Sequence, residues 1–189
     1  MNEKILVLSV AALLAAPALA APETFVIDNN HTLPRFSYSH MGYSTQLSRF
    51  DKVSGKIVLD AVAETGSVDV VIDMKSVNTG NTAFNGHIQG EDFFDTATYP
   101  VATFKSTAVK FVGGKPAIVE GNLTLKGVTK PVILTVTSFQ HMMHPMLKKD
   151  AIGANATAML KRSDFNAGKY APLVGDEVTL VIPVEAHKE

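Results

Sequence analysis

Three groups of residues in this chain are of types that do chemistry. The first is His141-Met142-Met143-His144-Pro145-Met146, with two imidazoles and three thioethers in six positions. That soft donor set suits Cu(I), so a copper-binding protein is one candidate. On extended chain, however, consecutive side chains point to opposite faces, and Pro145 limits how the donors converge. The competing reading is a hairpin loop whose Met side chains cap a core. The second group is Glu91, Asp92 and Asp95 around Phe93 and Phe94. Paired carboxylates do acid/base work when one is buried, whereas acids on a turn are ordinarily solvated, which leaves the two aromatics as inward anchors. The third is histidine: His31 stands three residues after Asp28, and His40 falls on the apolar parity of its segment. A histidine placed like His40 serves either as a hydrogen-bonded core residue or as a polar contact inside a ligand cavity.

Reaction machinery is otherwise absent. There is no G-x-S-x-G elbow, no G-x-G-x-x-G loop and no H-E-x-x-H pair. The absence of cysteine excludes a thiol nucleophile, an iron–sulfur cluster, a Cys-based zinc site and a disulfide framework. With 17 basic and 18 acidic residues the net charge is −1, which argues against nucleic acid as a partner. These absences favour a binding protein over an enzyme, with no cofactor and no metal beyond the copper alternative.

The elements that would position these groups read as β-strands. Residues 21–189 hold 19 Val and 16 Thr against 10 Leu, a composition that suits pleated, half-buried surfaces. Pro34, Phe36, Tyr38 and His40 alternate with Arg35, Ser37 and Ser39, and Val68, Val70, Ile72 and Met74 with Ser67, Asp69 and Asp73. The same period recurs at Ala117–Leu125, Val132–Val136, Ile152–Leu160 and Val178–Val184. Pro34 marks an edge or an irregular strand start, since it has no N–H to donate. Thr65-Gly66, Gly113-Gly114 and Gly127–Pro131 supply turn chemistry for antiparallel hairpins. About eight such strands fit a sandwich or a closed up-and-down barrel. Asn81–Asp95, with Phe84 and Ile88 at i, i+4, is the one stretch with helical spacing, expected as a short helix across one opening.

Residues 1–20 read as an export signal: Lys4, an apolar run from Ile5 to Ala16, and Ala18-Leu19-Ala20 before the cut. The expected mature product is one domain over residues 21–189, soluble and delivered to a bacterial periplasm, with no second apolar span to cross a membrane.

Several pieces together form a family pattern. They are Asp28 and His31 followed by Phe36 and His40-Met41-Gly42; Phe50 and Gly55; His87 before Asp92-Phe93-Phe94-Asp95; and Tyr99-Pro100 leading to Phe104. They continue through Gly121-Asn122-Leu123-Thr124-Leu125, Gly127-Val128-Thr129-Lys130-Pro131, Arg162-Ser163-Asp164-Phe165 and Asp176-Glu177-Val178. In order and spacing, from Asp28 to Glu185, the chain resembles the YceI family of periplasmic, lipocalin-like proteins. It departs from that pattern at Lys126, where the family often has His, at Phe84-Asn85, often an Arg-Asp pair, and at Asn166, usually Gly.

The resemblance implies an all-β fold with one short helix: an antiparallel, up-and-down, lipocalin-like β-barrel with the helix near one opening. It also implies an apolar interior holding an isoprenoid or similar lipid, of the polyprenyl or isoprenoid quinone type. A barrel of eight strands has room for one small ligand, and each buried CH₂ contributes roughly 0.8 kcal/mol, so a long tail needs few polar contacts. By parity the inward residues are Phe36, Tyr38, His40, Val70, Ile72, Met74, Phe104, Val119, Leu123, Leu134 and Val136; parity serves packed core and ligand lining alike. The expected partner is a long-chain isoprenoid or fatty lipid, and a homodimer is compatible with the same reading.

Overall fold

The structure, a computed structural model, describes residues 21–189; the expected export signal lies outside them. Eleven strand segments are present among the described residues. They are β1 (Glu23–Ile27), β2 (Arg35–His40), β3 (Ser44–Phe50), β4 (Val53–Asp60), β5 (Thr65–Asp73), β6 (Val77–Asn78), β7 (Val101–Val112), β8 (Lys115–Leu125), β9 (Val128–Met143), β10 (Asp150–Lys161) and β11 (Glu177–Lys188). The helix α1 spans Thr82–Ile88.

The pairing reduces eleven segments to eight staves. β1 and β2 both pair with β11, β4 pairs with β1, and β3 pairs with β2. Each of β1–β2, β3–β4 and β5–β6 is thus one long strand with an interruption, the last close to its end. All pairings are antiparallel between neighbours in the chain, and β11 returns to β1 to close the ring. This is an up-and-down β-barrel, which leaves no free edge where it closes.

Side chains splice the first interruption. Thr32, buried to 1% exposure, accepts the N–H of Glu185 and donates its hydroxyl to the Glu185 carbonyl, both at 3.1 Å. Asn29 accepts the N–H of Val53 at 2.6 Å. Polar groups of the barrel wall that lose strand partners therefore find side-chain ones, as buried backbone must. Pro34, whose missing N–H foreshadowed the irregularity, stands at the end of this break.

Two hairpins turn through residue pairs with positive φ, Gly113-Gly114 and Lys126-Gly127, the geometry that two-residue loops prefer. The turn expected at Thr65-Gly66 lies earlier, at residues 61–64, where the Asp60 carboxylate accepts the N–H groups of Val62 and Ala63. Thr65 and Gly66 instead open β5. Likewise Val128–Pro131 belong to β9.

The helix is shorter than its expected span. Asn81 caps it by accepting the N–H of Phe84, and it ends at Ile88, before Gly90. Residues 90–99 continue as turns. Asn85 accepts both the N–H and the hydroxyl of Thr79 at its side-chain oxygen, which anchors the helix to the end of β6. β6 pairs only with β3 among the described residues, so near this end the wall parts between β6 and β7. The segment from Thr79 to Pro100, which carries α1, joins these two strands.

Packing differs along the barrel. At one end Phe25, Ile27, Val53, Leu59, Ile152 and Ala186 form a solid plug, with Phe111 and Phe139 against it. Beyond Phe25 lies a polar girdle: Lys188 binds Glu23 at 2.6 Å, and His141 Nε2 stands 3.8 Å from the same carboxylate. At the other end Phe36, Phe50, Met74 and Val77 pack against Ile88, the buried residue of the helix.

Candidate functional site

Between these two packed ends lies an apolar cavity of about 470 Å³. It falls within the roughly 300–1,000 Å³ of small-molecule pockets. Empty and sealed, such a void would cost on the order of 10 kcal/mol at about 24 cal/mol per Å³, comparable with the whole stability of an ordinary domain. A volume of that size is a container and not a packing flaw.

All eleven residues that parity points inward border this cavity: Phe36, Tyr38, His40, Val70, Ile72, Met74, Phe104, Val119, Leu123, Leu134 and Val136. Two of them sit differently from expectation. Met74 belongs to a 3₁₀ turn just past β5, and His40 is exposed at the mouth, where it bridges Val174. Phe104 lies across Gly121, where a Cβ would come within 2.4 Å of the ring. The glycine thus lets an aromatic lie flat on the barrel wall.

The mouth is made by segments with no strand period. Phe84 and His87 come from α1, Phe93 and Phe94 from the turns after it, and Tyr170, Leu173 and Val174 from the loop before β11. Their rings interlock: Phe36 meets Phe94 edge-on at 5.8 Å, His87 meets Phe93 at 5.0 Å, and Phe93 meets Tyr170 at 6.0 Å. Leu173 is 68% exposed and Met41 52%, although both border the cavity.

Polar bonds fasten the two sides of this mouth. Lys126 donates from Nζ to the carbonyls of Glu91 at 2.6 Å and Asn166 at 2.9 Å. Asp92 pairs with Lys169. That pairing holds the Lys169 ammonium above its ordinary pKa. Asn166 has φ of 56°, a left-handed conformation that Asn tolerates better than most residues, so it does the work of a glycine there. The Arg162 guanidinium clamps the adjoining loop. It donates to the carbonyls of Gly175, Ala167, Lys169 and Val174 at 2.6–2.9 Å. Desolvation lowers the Arg162 pKa, opposed by the charge of Asp176. Burial raises the Tyr38 hydroxyl, opposed by the charge of Arg162.

The histidine–methionine group is divided. A bulge lies between Asn155 and Ala156 opposite Thr137, and it resets the parity of β9 beyond Val136. His141 then faces Phe25 edge-on at 5.4 Å at the closed end. His144 stands in the following turn, where its Nδ1 accepts the N–H groups of Met146 and Leu147 and its ring meets His187 at 5.1 Å. Met142 and Met143 are exposed, and Met146 is 84% exposed. The two imidazoles thus have different surroundings, and one nitrogen of His144 is already occupied. Glu91 and Asp95 do not border the cavity, nor does Asp92. Asp28 and His31, at 2.6 Å, lie on the outer wall beside Glu185.

Comparison with known proteins agrees with this architecture. Residues 25–186 match the model of the YceI-like domain. Protein YceI of Escherichia coli O6:H1 (strain CFT073) is 35% identical over 188 residues, covering 98% of this chain and 97% of that protein. The crystal structure of Burkholderia cenocepacia BcnA superposes with a TM-score of 0.72 at 30% identity, over 85% of this chain and 99% of BcnA. A polyisoprenoid binding domain from Saccharophagus degradans, implicated in plant cell wall breakdown, shares the fold with a TM-score of 0.63 at 21% identity, over 87% of this chain and 98% of that domain. By the match over residues 25–186 and by the barrel itself, the chain belongs to the YceI-like domain family.

Proposed function

We propose that this protein is a non-enzymatic carrier that holds one long-chain isoprenoid, of the polyprenyl or isoprenoid quinone type, or a similar lipid inside its barrel. The observation that carries the reading is the cavity: about 470 Å³, bounded almost wholly by hydrocarbon and open at the helix end. Each CH₂ transferred into it contributes roughly 0.8 kcal/mol, so chain length sets affinity and tail selectivity is loose. The shared fold of a domain described as polyisoprenoid binding supports the tail chemistry. The carrier works in the periplasm after export and cleavage behind Ala20, alone or as a homodimer.

Mass spectrometry of a lipid extract from natively purified protein tests the reading. One long-chain species in near-stoichiometric amount is expected, along with a rise in Tm when polyisoprenoid is added to delipidated protein. Protein that carries no chain and gains no stability from any isoprenoid would overturn it. N-terminal sequencing of the periplasmic fraction should find Ala21 first.

A further inference from the structure

The cavity has a distinct polar chemistry at its mouth. Among its lining residues there is no Asp, Glu, Asn, Gln, Ser or Thr. Its polar side chains are Tyr38, His40, His87, Tyr170, Arg162 and Arg35, of which Arg35 lies on the outward parity of β2 with Ser37. The container therefore offers donors, and one of them is a fixed charge. Arg162 spends four of its five N–H groups on loop carbonyls, which leaves one on Nη2. It makes no salt bridge among the described residues. The nearby Asp176 instead binds Ser163, through its N–H at 2.9 Å and its hydroxyl at 2.7 Å. A half-buried guanidinium surrounded by neutral carbonyls keeps its full charge, and a partly desolvated charge acts strongly on whatever lies beside it.

We infer that the mouth favours lipids whose head group presents hydrogen-bond-accepting oxygens, anionic ones most strongly, and rejects a cationic head on the same tail. The inference rests on the carrier reading and adds the head-group class to it. Arg162 is the charge that reads the head, through its remaining N–H and its field. The Tyr38 hydroxyl, from β2, and the His87 ring, from α1, supply further donors. The tail extends past Ile72 and Leu134 toward the plug. An ammonium head placed there meets the guanidinium with no carboxylate lining the cavity to compensate it, so repulsion and lost hydration both oppose binding.

The test compares three probes with one C₂₀ tail on delipidated full-length mature protein: geranylgeranyl monophosphate, geranylgeraniol and geranylgeranylamine. Calorimetric titration should find the phosphate bound at least about tenfold tighter than the amine, with the alcohol between, because a charge-assisted hydrogen bond is worth more than a neutral one. Equal affinity, or a tighter amine, overturns the inference while leaving the carrier reading intact. Failure of all three to bind removes the carrier reading itself. The wild-type ratio needs no variant to fold. Tyr38→Phe, which leaves the arginine clamp whole, should lower phosphate affinity severalfold and spare the tail contribution. Arg162→Gln should bring phosphate and alcohol affinities together; a preserved phosphate preference in that variant would exclude Arg162 as the reader.

Discussion

At the closed end Phe25 and Ala186 have no exposed surface, whereas at the mouth Leu173 and Met41 border the cavity and still face solvent. Both ends are rich in apolar side chains. What separates them is the backbone that presents them. The plug is carried by strands β1, β4, β10 and β11, whose ladders fix every inward side chain against its neighbours. The mouth is carried by one short helix and two loops, held together by Lys126, the Asp92–Lys169 pair and the Arg162 clamp. Apolar groups on a rigid ring fill space; the same groups on loops surround space and leave it available. The difference concentrates stability at one end and leaves the other as the place where the proposed carrier would exchange its ligand.

The sharpest way to break this comparison is to remove an anchor from each end. Phe25→Ala should cost about 3–5 kcal/mol in urea unfolding, as deletions of buried aromatics do. Its counterpart Leu173→Ala should stay within about 0.5 kcal/mol. Comparable losses at both ends would mean that the mouth is packed core after all. Between the two ends, Ile72→Trp or Leu134→Trp adds bulk where a tail would lie. Overpacking a filled core costs about 1–3 kcal/mol. These variants should fold with less than that loss and purify without lipid; retention of full lipid binding would remove the cavity from the function.

Much of this division could be read in the sequence, and the part that could not has a physical cause. A strand's period of two is local, so Val70, Ile72, Leu134 and Val136 were placed on the inner wall from their own neighbours alone. The rim obeys no period. Tyr170 and Leu173 reach the cavity through a loop path that depends on contacts far along the chain, whereas Phe84, spaced i, i+4 from Ile88, and the Phe93-Phe94 doublet between acids are the local signs. Arg162 was visible as part of a motif, but four carbonyls from one loop converge on it only in three dimensions. Nor does a bulge announce itself: Thr137 looks like any strand threonine, yet past it the parity reverses and brings His141 against Phe25.

Two smaller effects sharpen the contrast further. Lys126→Met removes two of the bonds that join the sides of the mouth. Amide exchange around residues 89–96 and 166–170 should quicken in this variant, while global stability falls by about 1 kcal/mol or less and the plug stays protected. The other lies on the outer wall at Asp28 and His31. Their hydrogen bond lowers the Asp28 pKa and raises that of His31. The depressed carboxylate contributes stability above its unfolded pKa and loses it as pH falls through the folded one. The raised imidazole contributes below its unfolded pKa and loses it as pH rises through the folded one. The pair therefore acts fully between about pH 4 and 6.5, the unfolded values of its members. Asp28→Asn should flatten the profile of Tm against pH on both flanks; an unchanged profile would show the pair to be idle.

The closure of β11 on β1 and β2 carries a consequence for the order of assembly. Every other pairing of the barrel wall joins neighbouring staves, at low cost in loop entropy, so seven staves can form as a growing sheet. The last joins residues about as far apart as the domain allows, with Phe25 opposite Lys188 and Phe36 opposite Leu180. Until Glu177–Lys188 is in place, the sheet has two unpaired edges, β10 and the β1–β2 stave, and its apolar face is open to water. Such a species is prone to edge-to-edge aggregation. A chain truncated before Glu177 should therefore precipitate instead of yielding a smaller carrier, and a lipid present during refolding could be enclosed sideways as the seam closes, without passing through the mouth.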